Sequence, residues 1–200
     1  SLEQNTIYNV PNLKLSSGDF MSYSFPIPDK ALRNALLAEG YISVFDDSLR
    51  CMITDKGHEL RSLTVPDECK SLEGIKRFTS LTNLDVLNSQ VSDIDISGTN
   101  IRDLSVSGNE HVKTINASGS AIGDGLNVSG CMNLTELNLT GCEKLRNLNV
   151  GSAPLSGLNL SGLSNFERLT EGSAITGTID LSGTGIKSLN NYSDGYAAAE

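Results

Sequence analysis

A five-residue phrase recurs along most of this 200-residue chain: aliphatic, polar, aliphatic, serine or threonine, glycine. Clear copies are residues 94–98, 137–141 and 158–162. The first aliphatic residue of each copy, here called the lead, is Leu84, Ile94, Leu104, Ile115, Leu126, Leu137, Leu148, Leu158, Leu169, Ile179 and Leu189. Successive leads are 10 or 11 residues apart. A fixed short period of this kind predicts a stacked solenoid and excludes most other folds.

Each phrase also predicts which side chains face inward. The lead and the residue two places later are apolar, while the residue between them, here called the mid-phrase residue, is polar. Such period-2 alternation indicates a short strand with one buried face, so the mid-phrase residue points outward. The glycine at the end of the phrase tolerates positive φ, which allows the chain to turn off the strand.

Two phrases are needed for each coil, because 10 or 11 residues cannot enclose a packed interior. Alternate phrases then stack on opposite sides of a flattened spiral. One side, called face A, carries the leads at 84, 104, 126, 148, 169 and 189, and the other, called face B, carries those at 94, 115, 137, 158 and 179. Coils of 20–22 residues lie within the range of leucine-rich repeats, about 20–29 residues. We therefore predict an α/β repeat solenoid, a leucine-rich repeat of about five coils with parallel strands.

Three segments resemble bacterial cell-surface leucine-rich-repeat proteins of the internalin-like group. Residues 71–86 resemble the start of the repeat array in that group, and rows such as 134–142 are similar to its L-T-x-L-x-L-x-x-N/C pattern. Residues 27–37 resemble the helical cap that precedes such arrays. The resemblance extends over roughly residues 27–190, and it implies a secreted or cell-surface protein that acts in adhesion through protein binding.

The chain is expected to divide into an N-terminal segment and cap (1–70), the solenoid (71–190) and a C-terminal tail (191–200). Asp29 is a suitable N-cap for a helix over about 30–39, which Gly40 ends. Leu32 and Leu36 are predicted to face inward, and the direction of Leu37 is left open. The cap also contains most of the aromatic residues, as expected if it seals the open end of the apolar core.

The chain departs from the family pattern at two places. Residues 43–50 have neither the Asp/Asn alternation nor the central glycine of a calcium loop, so no metal site is predicted. The family's asparagine ladder, three residues after the second aliphatic residue of a phrase, is present only at Asn109. The same position elsewhere carries Ser89, Thr99, Ser120, Cys131 and Cys142.

The four cysteines leave one alternative open. Cys51 and Cys69 both lie in the cap region, where either a disulfide or two thiols is consistent with the spacing. Cys131 and Cys142 belong to phrases on opposite faces of the spiral, so we predict that they are buried thiols.

Composition excludes some classes of partner, whereas the cellular location is inferred from the family resemblance. The net charge of −9 argues against nucleic acid, and no run of apolar residues is long enough to span a membrane. The chain opens without a signal peptide, which is typical of a cytosolic protein or of the mature form of an exported one. The resemblance favours an extracellular or cell-surface location, with a signal or anchor segment outside this sequence.

No pattern of catalytic residues is present in the sequence. His58 and His111 have no partner at metal-ligand spacing, and the chain has no C-x-x-C, G-x-S-x-G or phosphate-binding loop motif. Carboxylates at outward positions, such as Asp93 and Asp95, are open to water and lack the desolvation that tunes a catalytic acid. The chain is therefore not expected to be an enzyme or to hold a metal or cofactor.

The outward positions contain the remaining information on function. Every mid-phrase residue is Asn, Asp, Ser or Thr. Together with the residue directly before each lead, here called the pre-lead residue, they form a polar, mildly acidic surface. We predict the ligand site on face A, because the segment 81–84 resembles the start of the strand on the concave side of the family. The predicted ligand-binding residues are Asn83, Asp85, Asp103, Ser105, Asn127, Asn147, Asn149 and Arg168.

Two functions fit this surface. The first is a non-enzymatic recognition module that binds a protein or other surface ligand through the strand face of the solenoid. The second is a structural spacer within a longer surface protein, with no ligand of its own. The second is favoured by the absence of tryptophan, since binding hot spots are rich in Trp, Tyr and Arg.

Overall fold

The computed structural model describes residues 7–10, 13–16, 24–44, 50–171 and 174–191. Most of these residues form a parallel-strand β-solenoid of about six coils, which confirms the predicted solenoid. A small N-terminal unit precedes the coils, and only two short α-helices occur in the described part of the chain.

The N-terminal unit combines short antiparallel strands with these helices. β1 (Ile7–Val10) and β2 (Leu13–Ser16) form an antiparallel pair. They are followed by β3 (Phe25–Pro26), α1 (Lys30–Ala38), β4 (Ile42–Val44), β5 (Arg50–Ile53) and α2 (Asp55–His58). β5 lies between β3 and β4 and pairs antiparallel with both. Residues 45–49, within the segment that lacks the calcium-loop pattern, fall outside the described residues.

Helix α1 begins and ends at the signals present in the sequence. The Asp29 side chain accepts a hydrogen bond from the Leu32 N–H at 2.9 Å, which is an N-cap bond. Gly40, at φ +71°, follows the helix in the left-handed conformation. Leu32 and Leu36 are fully buried, whereas Leu37 is 44% exposed and therefore does not belong to the inward face.

Asp29 also ties the cap to the first turn of the solenoid. Its second carboxylate oxygen accepts the backbone N–H of Lys70 at 2.8 Å. Burial raises the pKa of the Asp29 carboxyl, but hydrogen bonds, chiefly those from the Leu32 and Lys70 N–H groups, outweigh it. The net pKa therefore lies below its usual value.

Replacement of this carboxylate should make the cap less stable in a pH-dependent way. We expect Asp29→Ala to lower the free energy of unfolding by about 1–2 kcal/mol at pH 7. Because the folded-state pKa is depressed, the charge-dependent stabilisation is complete above the unfolded-state pKa of about 3.9 and is lost as the pH falls through the lower folded-state value. Urea unfolding of both proteins should therefore show a difference that shrinks below about pH 4.

Asp67→Ala is the matched control for this experiment, because Asp67 is exposed and accepts no hydrogen bond among the residues the structure describes. Its effect should be small at every pH. A difference between wild type and Asp29→Ala that is the same at neutral and acid pH would contradict the proposed role of the charge.

From β7 onward the solenoid strands alternate between the two faces along the chain, and β6 precedes β7 on the same face. They are β6 (Ser62–Thr64), β7 (Asn83–Asp85), β8 (Asp93–Asp95), β9 (Asp103–Ser105), β10 (Thr114–Asn116), β11 (Asp124–Asn127), β12 (Glu136–Asn138), β13 (Leu145–Gly151), β14 (Leu158–Asn159), β15 (Arg168–Glu171), β16 (Ile179–Asp180) and β17 (Ser188–Asn191). A 3-10 helix (Ile75–Arg77) lies between β6 and β7. Face A consists of β6, β7, β9, β11, β13, β15 and β17, and face B of β8, β10, β12, β14 and β16.

Lead residues pair with lead residues, as the predicted stacking requires. On face A, Leu84 is in register with Leu104, and Leu126 with Leu148. On face B, Ile94 is in register with Ile115. The parallel pairing also includes β6, whose Leu63 is in register with Leu84. The stacked rows thus extend upstream of residue 71, where the sequence analysis places the start of the solenoid, and they add one coil to the predicted five.

One continuous apolar core fills the space between the two faces. It begins in the N-terminal unit with Phe25, Ile27, Leu32 and Leu36, and it continues through the leads as far as Leu169. The Phe25 and Phe78 rings meet edge to face, with centroids 6.4 Å apart, where the cap joins the coils. The last described rows are less well covered: Leu189 is 40% exposed, and Ile179, Leu181 and Ile186 are only partly buried.

The ladder position carries hydrogen bonds between coils even where the residue is not asparagine. The buried Asn109 amide donates to the carbonyls of Val86 (2.6 Å) and Ser89 (3.0 Å) in the preceding coil. The thiols of Cys131 and Cys142 do the same, donating to Val106 (3.2 Å) and Ala117 (3.1 Å). Burial raises the pKa of both thiols, which keeps them protonated and able to donate.

Cys51 and Cys69 are also buried thiols rather than a disulfide. The Cys69 thiol donates to the Ser71 carbonyl at 3.3 Å. Burial raises the pKa of Cys69 to about 12, so this thiol stays protonated at neutral pH.

Candidate functional site

All eight predicted ligand-binding residues lie on face A. Asn83 and Asp85 are in β7, Asp103 and Ser105 in β9, Asn127 in β11, Asn147 and Asn149 in β13, and Arg168 in β15. The parallel registers place them side by side in pairs: Asn83 with Asp103, Asp85 with Ser105, Asn127 with Asn149, and Asn147 with Arg168. They form two groups, because β9 and β11 belong to separate hydrogen-bonded sheets.

The pre-lead residues of face A are exposed and only loosely bonded. The Asn83 amide donates to the Asp103 carboxylate at 3.1 Å. The Asn147 amide donates to the Asp124 carbonyl at 3.0 Å. Arg168 is exposed and makes no side-chain hydrogen bond within the described ranges. These side chains are therefore available to a ligand.

Most mid-phrase residues also have a structural role that was not predicted from the sequence. Their Oδ1 atoms accept the backbone N–H of the residue two places later, which is an Asx turn at the end of the strand. This bond is present at Asp85, Asp95, Asn116, Asn127, Asn138, Asn159 and Asp180, with lengths of 2.9–3.3 Å. The turn explains the preference for Asn and Asp at this position. The recurring polar-x-Ser/Thr spacing of the phrase is the sequence signal for it.

Among the mid-phrase asparagines whose side chains the structure describes, Asn149 is the exception. Strand β13 continues through Gly151, which pairs with Glu171 after a shift in register, so the usual turn does not form. The Asn149 Oδ1 atom is buried and has no hydrogen-bond partner. In this copy of the phrase the usual order of serine and glycine is reversed, as Gly151-Ser152.

A pocket of mixed charge adjoins the predicted site. It has a volume of about 560 Å³ and is lined by Arg102, Asp103, Asp124, Lys144 and Arg146, among others. The sequence analysis named only Asp103 of these. For Arg102 and Arg146 the sequence signal is the position two before the lead, which on face A is also basic at Arg61 and Lys187; Asp124 at that position is acidic, and Lys144 lies four before its lead. The Arg146 and Lys187 side chains both contact the Glu167 carboxylate, at 3.4 and 2.8 Å.

Face B is more acidic than face A. Its pre-lead and mid-phrase positions contain Asp93, Asp95, Glu136 and Asp180 and no basic residue. The hydroxyls of Ser92 and Thr114 lower the pKa of Asp93. Burial raises the pKa of Asp95, but bonds from Lys76 and Ser97 outweigh it and leave the pKa below its usual value.

Face B also contains a larger groove than the pocket beside face A. The groove has a volume of about 810 Å³ and extends over β10, β12, β14 and β16. Glu136, Asn138, Gly157, Asn159 and Asp180 are among its lining residues. The sequence analysis did not predict this groove.

The described residues contain no group of His, Cys, Asp or Glu arranged to hold a metal ion. Within the same residues, no helix is long and apolar enough to cross a membrane. Both faces present hydrogen-bonding groups and charged side chains at the surface.

Comparison of the chain with protein-family models, with curated proteins and with solved structures gave no match. The resemblance to the internalin-like group therefore stays a prediction from the quoted residues. The fold and the geometry of the two faces are the basis for any functional conclusion.

Proposed function

We propose that this chain is a non-enzymatic recognition module of the leucine-rich-repeat type that binds a protein ligand through face A. In this proposal it acts at the cell surface or outside the cell, as in the bacterial internalin-like group, and contributes to adhesion. A repeat solenoid suits such a role because it presents a long, regular surface without needing an enclosed pocket.

The observation that carries the proposal is a difference between the two outward columns of face A. In the mid-phrase column, Asp85 and Asn127 are constrained, because their side chains close a backbone turn at the end of the strand. The pre-lead column has no such duty, and its residues vary from row to row: Asn83, Asp103, Gly125, Asn147, Arg168 and Ser188. Positions that the fold leaves free are those at which a binding surface can acquire specificity.

The charges around this column favour a protein over a small ligand. Asp103 lies beside Arg102 and Arg146 at the mixed-charge pocket, and Arg168 extends the surface along the stack. Arginine is enriched at binding hot spots, and charges of both signs give a protein partner its orientation. The surface is open and several rows long, which suits a partner of comparable extent.

The proposal predicts that shortening two pre-lead side chains weakens binding. A screen against extracellular proteins would first identify a ligand, and the affinity of the double variant Asp103→Ala/Asn147→Ala would then be measured. We expect a loss of about tenfold or more, since each change removes an exposed polar contact at the centre of the surface.

A matched control is the double variant Asp67→Ala/Asn133→Ala. It removes the same two side-chain types, and the Asn133 amide makes a comparable bond to a backbone carbonyl, that of Glu110 at 2.6 Å. Neither control residue lies in a strand of face A. Equal affinity of wild type and the face A variant would reject face A as the binding surface.

The structural spacer remains the second candidate, and one observation favours it. Many outward side chains are already bonded within the solenoid: the mid-phrase residues close turns, and Asn116 and Asn138 bond along the stack at 3.1 Å. A spacer would bind nothing in the screen. The function of a spacer would depend on the stability of the solenoid and on no exposed side chain in particular.

A further inference from the structure

We propose that the groove on face B binds an extended basic segment of a partner protein, with a Lys or Arg side chain seated over Gly157. This goes beyond the proposed function, because it concerns the face opposite the predicted ligand site. Three independent features of the groove support it: an interrupted backbone ladder, a missing side chain, and a lining of one charge sign.

The first feature is a break in the hydrogen bonding between β12 and β14. Elsewhere on face B the residue after each strand donates its N–H to the next coil, as Ala117 does to Asn138 (2.9 Å) and Leu160 to Asp180 (2.9 Å). Between β12 and β14 the corresponding bond from Leu139 to Asn159 is absent from the described backbone, and the two strands lie in separate sheets.

The same break continues into the following turn. The phrase-ending glycines normally bond to the next coil, as Gly119 does to Thr140 (2.8 Å) and Gly162 to Ser182 (2.8 Å). The equivalent bond from Gly141 to Ser161 is missing within these described residues. Leu139 is fully buried, so its N–H is closed off from solvent, whereas Gly141 in the turn is exposed and its N–H is left for solvent or a ligand to satisfy.

The second feature is the glycine at the pre-lead position of β14. The other pre-lead positions of face B carry Asp93, Thr114, Glu136 and Thr178, whose side chains cover their rows. At Gly157 there is no side chain, which leaves a notch between Glu136 and Thr178. Gly157 and Glu136 both line the groove, so the missing side chain widens the groove at this row.

The third feature is charge. The groove lining contains Glu136 and Asp180 and no Lys, Arg or His. The Glu136 carboxylate has no hydrogen-bond or ion-pair partner in the described structure, and the Asp180 carboxylate has only bonds from Ser182. An ammonium or guanidinium group over Gly157 would lie between these carboxylates and the amide oxygens of Asn138 and Asn159, where charge-assisted hydrogen bonds are strongest.

The groove's size and polarity favour a polypeptide segment over a compact ligand. Its volume of about 810 Å³ is at the large end for ligand sites, which are about 300–1,000 Å³, and it is open along its length. Polar side chains recur along it, at Glu136, Asn138, Asn159 and Asp180, which suits an extended chain that has its own N–H and C=O groups.

The test uses a fluorescein-labelled, unstructured peptide in which three lysines are separated by glycine and serine. Binding to the full chain would be followed by fluorescence anisotropy at low ionic strength, where charge interactions are least screened. We expect Gly157→Gln, which fills the notch without changing charge, and Glu136→Gln, which removes one carboxylate, each to weaken binding about fivefold or more.

Two matched controls separate the groove from general attraction to an acidic protein. Gly125→Gln fills the pre-lead glycine of face A, where an added Cβ would meet only ordinary contacts with Asn147 at 3.6 Å. Glu143→Gln removes one exposed carboxylate away from both strand faces. Both should change the affinity by less than about twofold, and the face A variant Asp103→Ala/Asn147→Ala should behave in the same way.

Equal losses with Glu136→Gln and Glu143→Gln would overturn the proposal, because the attraction would then depend only on net charge. Unchanged affinity in Gly157→Gln would overturn it as well. If Gly157→Gln fails to fold, as judged by circular dichroism, Glu136→Gln and its control still decide the question. A failure here leaves the proposed function of face A untouched, since the variants lie on opposite faces.

Discussion

Replacing Leu137 with aspartate is expected to lower the free energy of unfolding by several kcal/mol, about 4 or more. Leu137 is a lead residue, only 8% exposed, and in register with the buried Ile115 of the neighbouring coil. The substitution removes an aliphatic side chain from the core and places a carboxylate where no basic partner is available. Burial of an unpaired charge is among the most destabilising changes a single substitution can make.

Asn138→Asp provides the matched comparison one residue later. Asn138 is exposed, and its Oδ1 atom accepts the Thr140 N–H at 3.1 Å, a bond that aspartate preserves. Only the amide bond to Asn116, also 3.1 Å, is lost, so we expect a change of about 1 kcal/mol or less. Urea unfolding followed by circular dichroism would measure both; equal midpoints would contradict the assignment of inward and outward positions.

Asn109→Ala is expected to cost about 3 kcal/mol or more, although only a short polar side chain is removed. Asn109 is 2% exposed. Its amide donates to the Val86 and Ser89 carbonyls, and its Oδ1 atom accepts the His111 N–H at 2.8 Å. Alanine leaves the Ser89 carbonyl and the His111 N–H without a partner among the described residues, while the Val86 carbonyl keeps its bonds from Ser89; each unsatisfied group costs about 1–3 kcal/mol.

Asn109→Cys should restore part of this loss, because Cys131 and Cys142 occupy the same position and donate to the coil below. A thiol supplies one weak donor in place of the amide's bonds, so the variant should be intermediate between wild type and alanine. Asn133→Ala, which removes one exposed amide bond to Glu110, serves as the control and should cost less than about 1 kcal/mol. Thermal or urea unfolding would rank the four proteins, and a cysteine variant no better than alanine would refute the proposed role of the ladder thiols.

The repeat period and its apolar alternation were enough to predict the stacking of leads and the two faces. Leu84 pairs with Leu104 and Ile94 with Ile115, as the spacing predicts. A row with one apolar side can bury that side only against the coils above and below it. The row at Leu63 lacks the serine–glycine turn that marks later copies, so the sequence indicates only an irregular start of the spiral there, whereas the structure places Leu63 in regular register with Leu84.

Less of the candidate site could be predicted from the sequence. That Asn83, Asp103 and Arg168 share one face follows from the period alone. That Asp85 and Asn127 are held in turns depends on side-chain bonds to the backbone, which compete with any role in ligand binding. The basic residues Arg102 and Arg146 lie in rows separated by the Leu126 row, and they come together only because the stack places both around one pocket.

The sequence by itself determined which side chains point inward and how the phrases stack, because both follow from a local pattern repeated at a constant interval. Only the tertiary structure decided where the stack is interrupted. The break between β12 and β14 and the groove over Gly157 depend on the fit between two particular coils. A period common to all rows contains no information about which junctions are interrupted, here β9 to β11 on face A and β12 to β14 on face B, because the fit depends on contacts between residues about 20 positions apart in the chain.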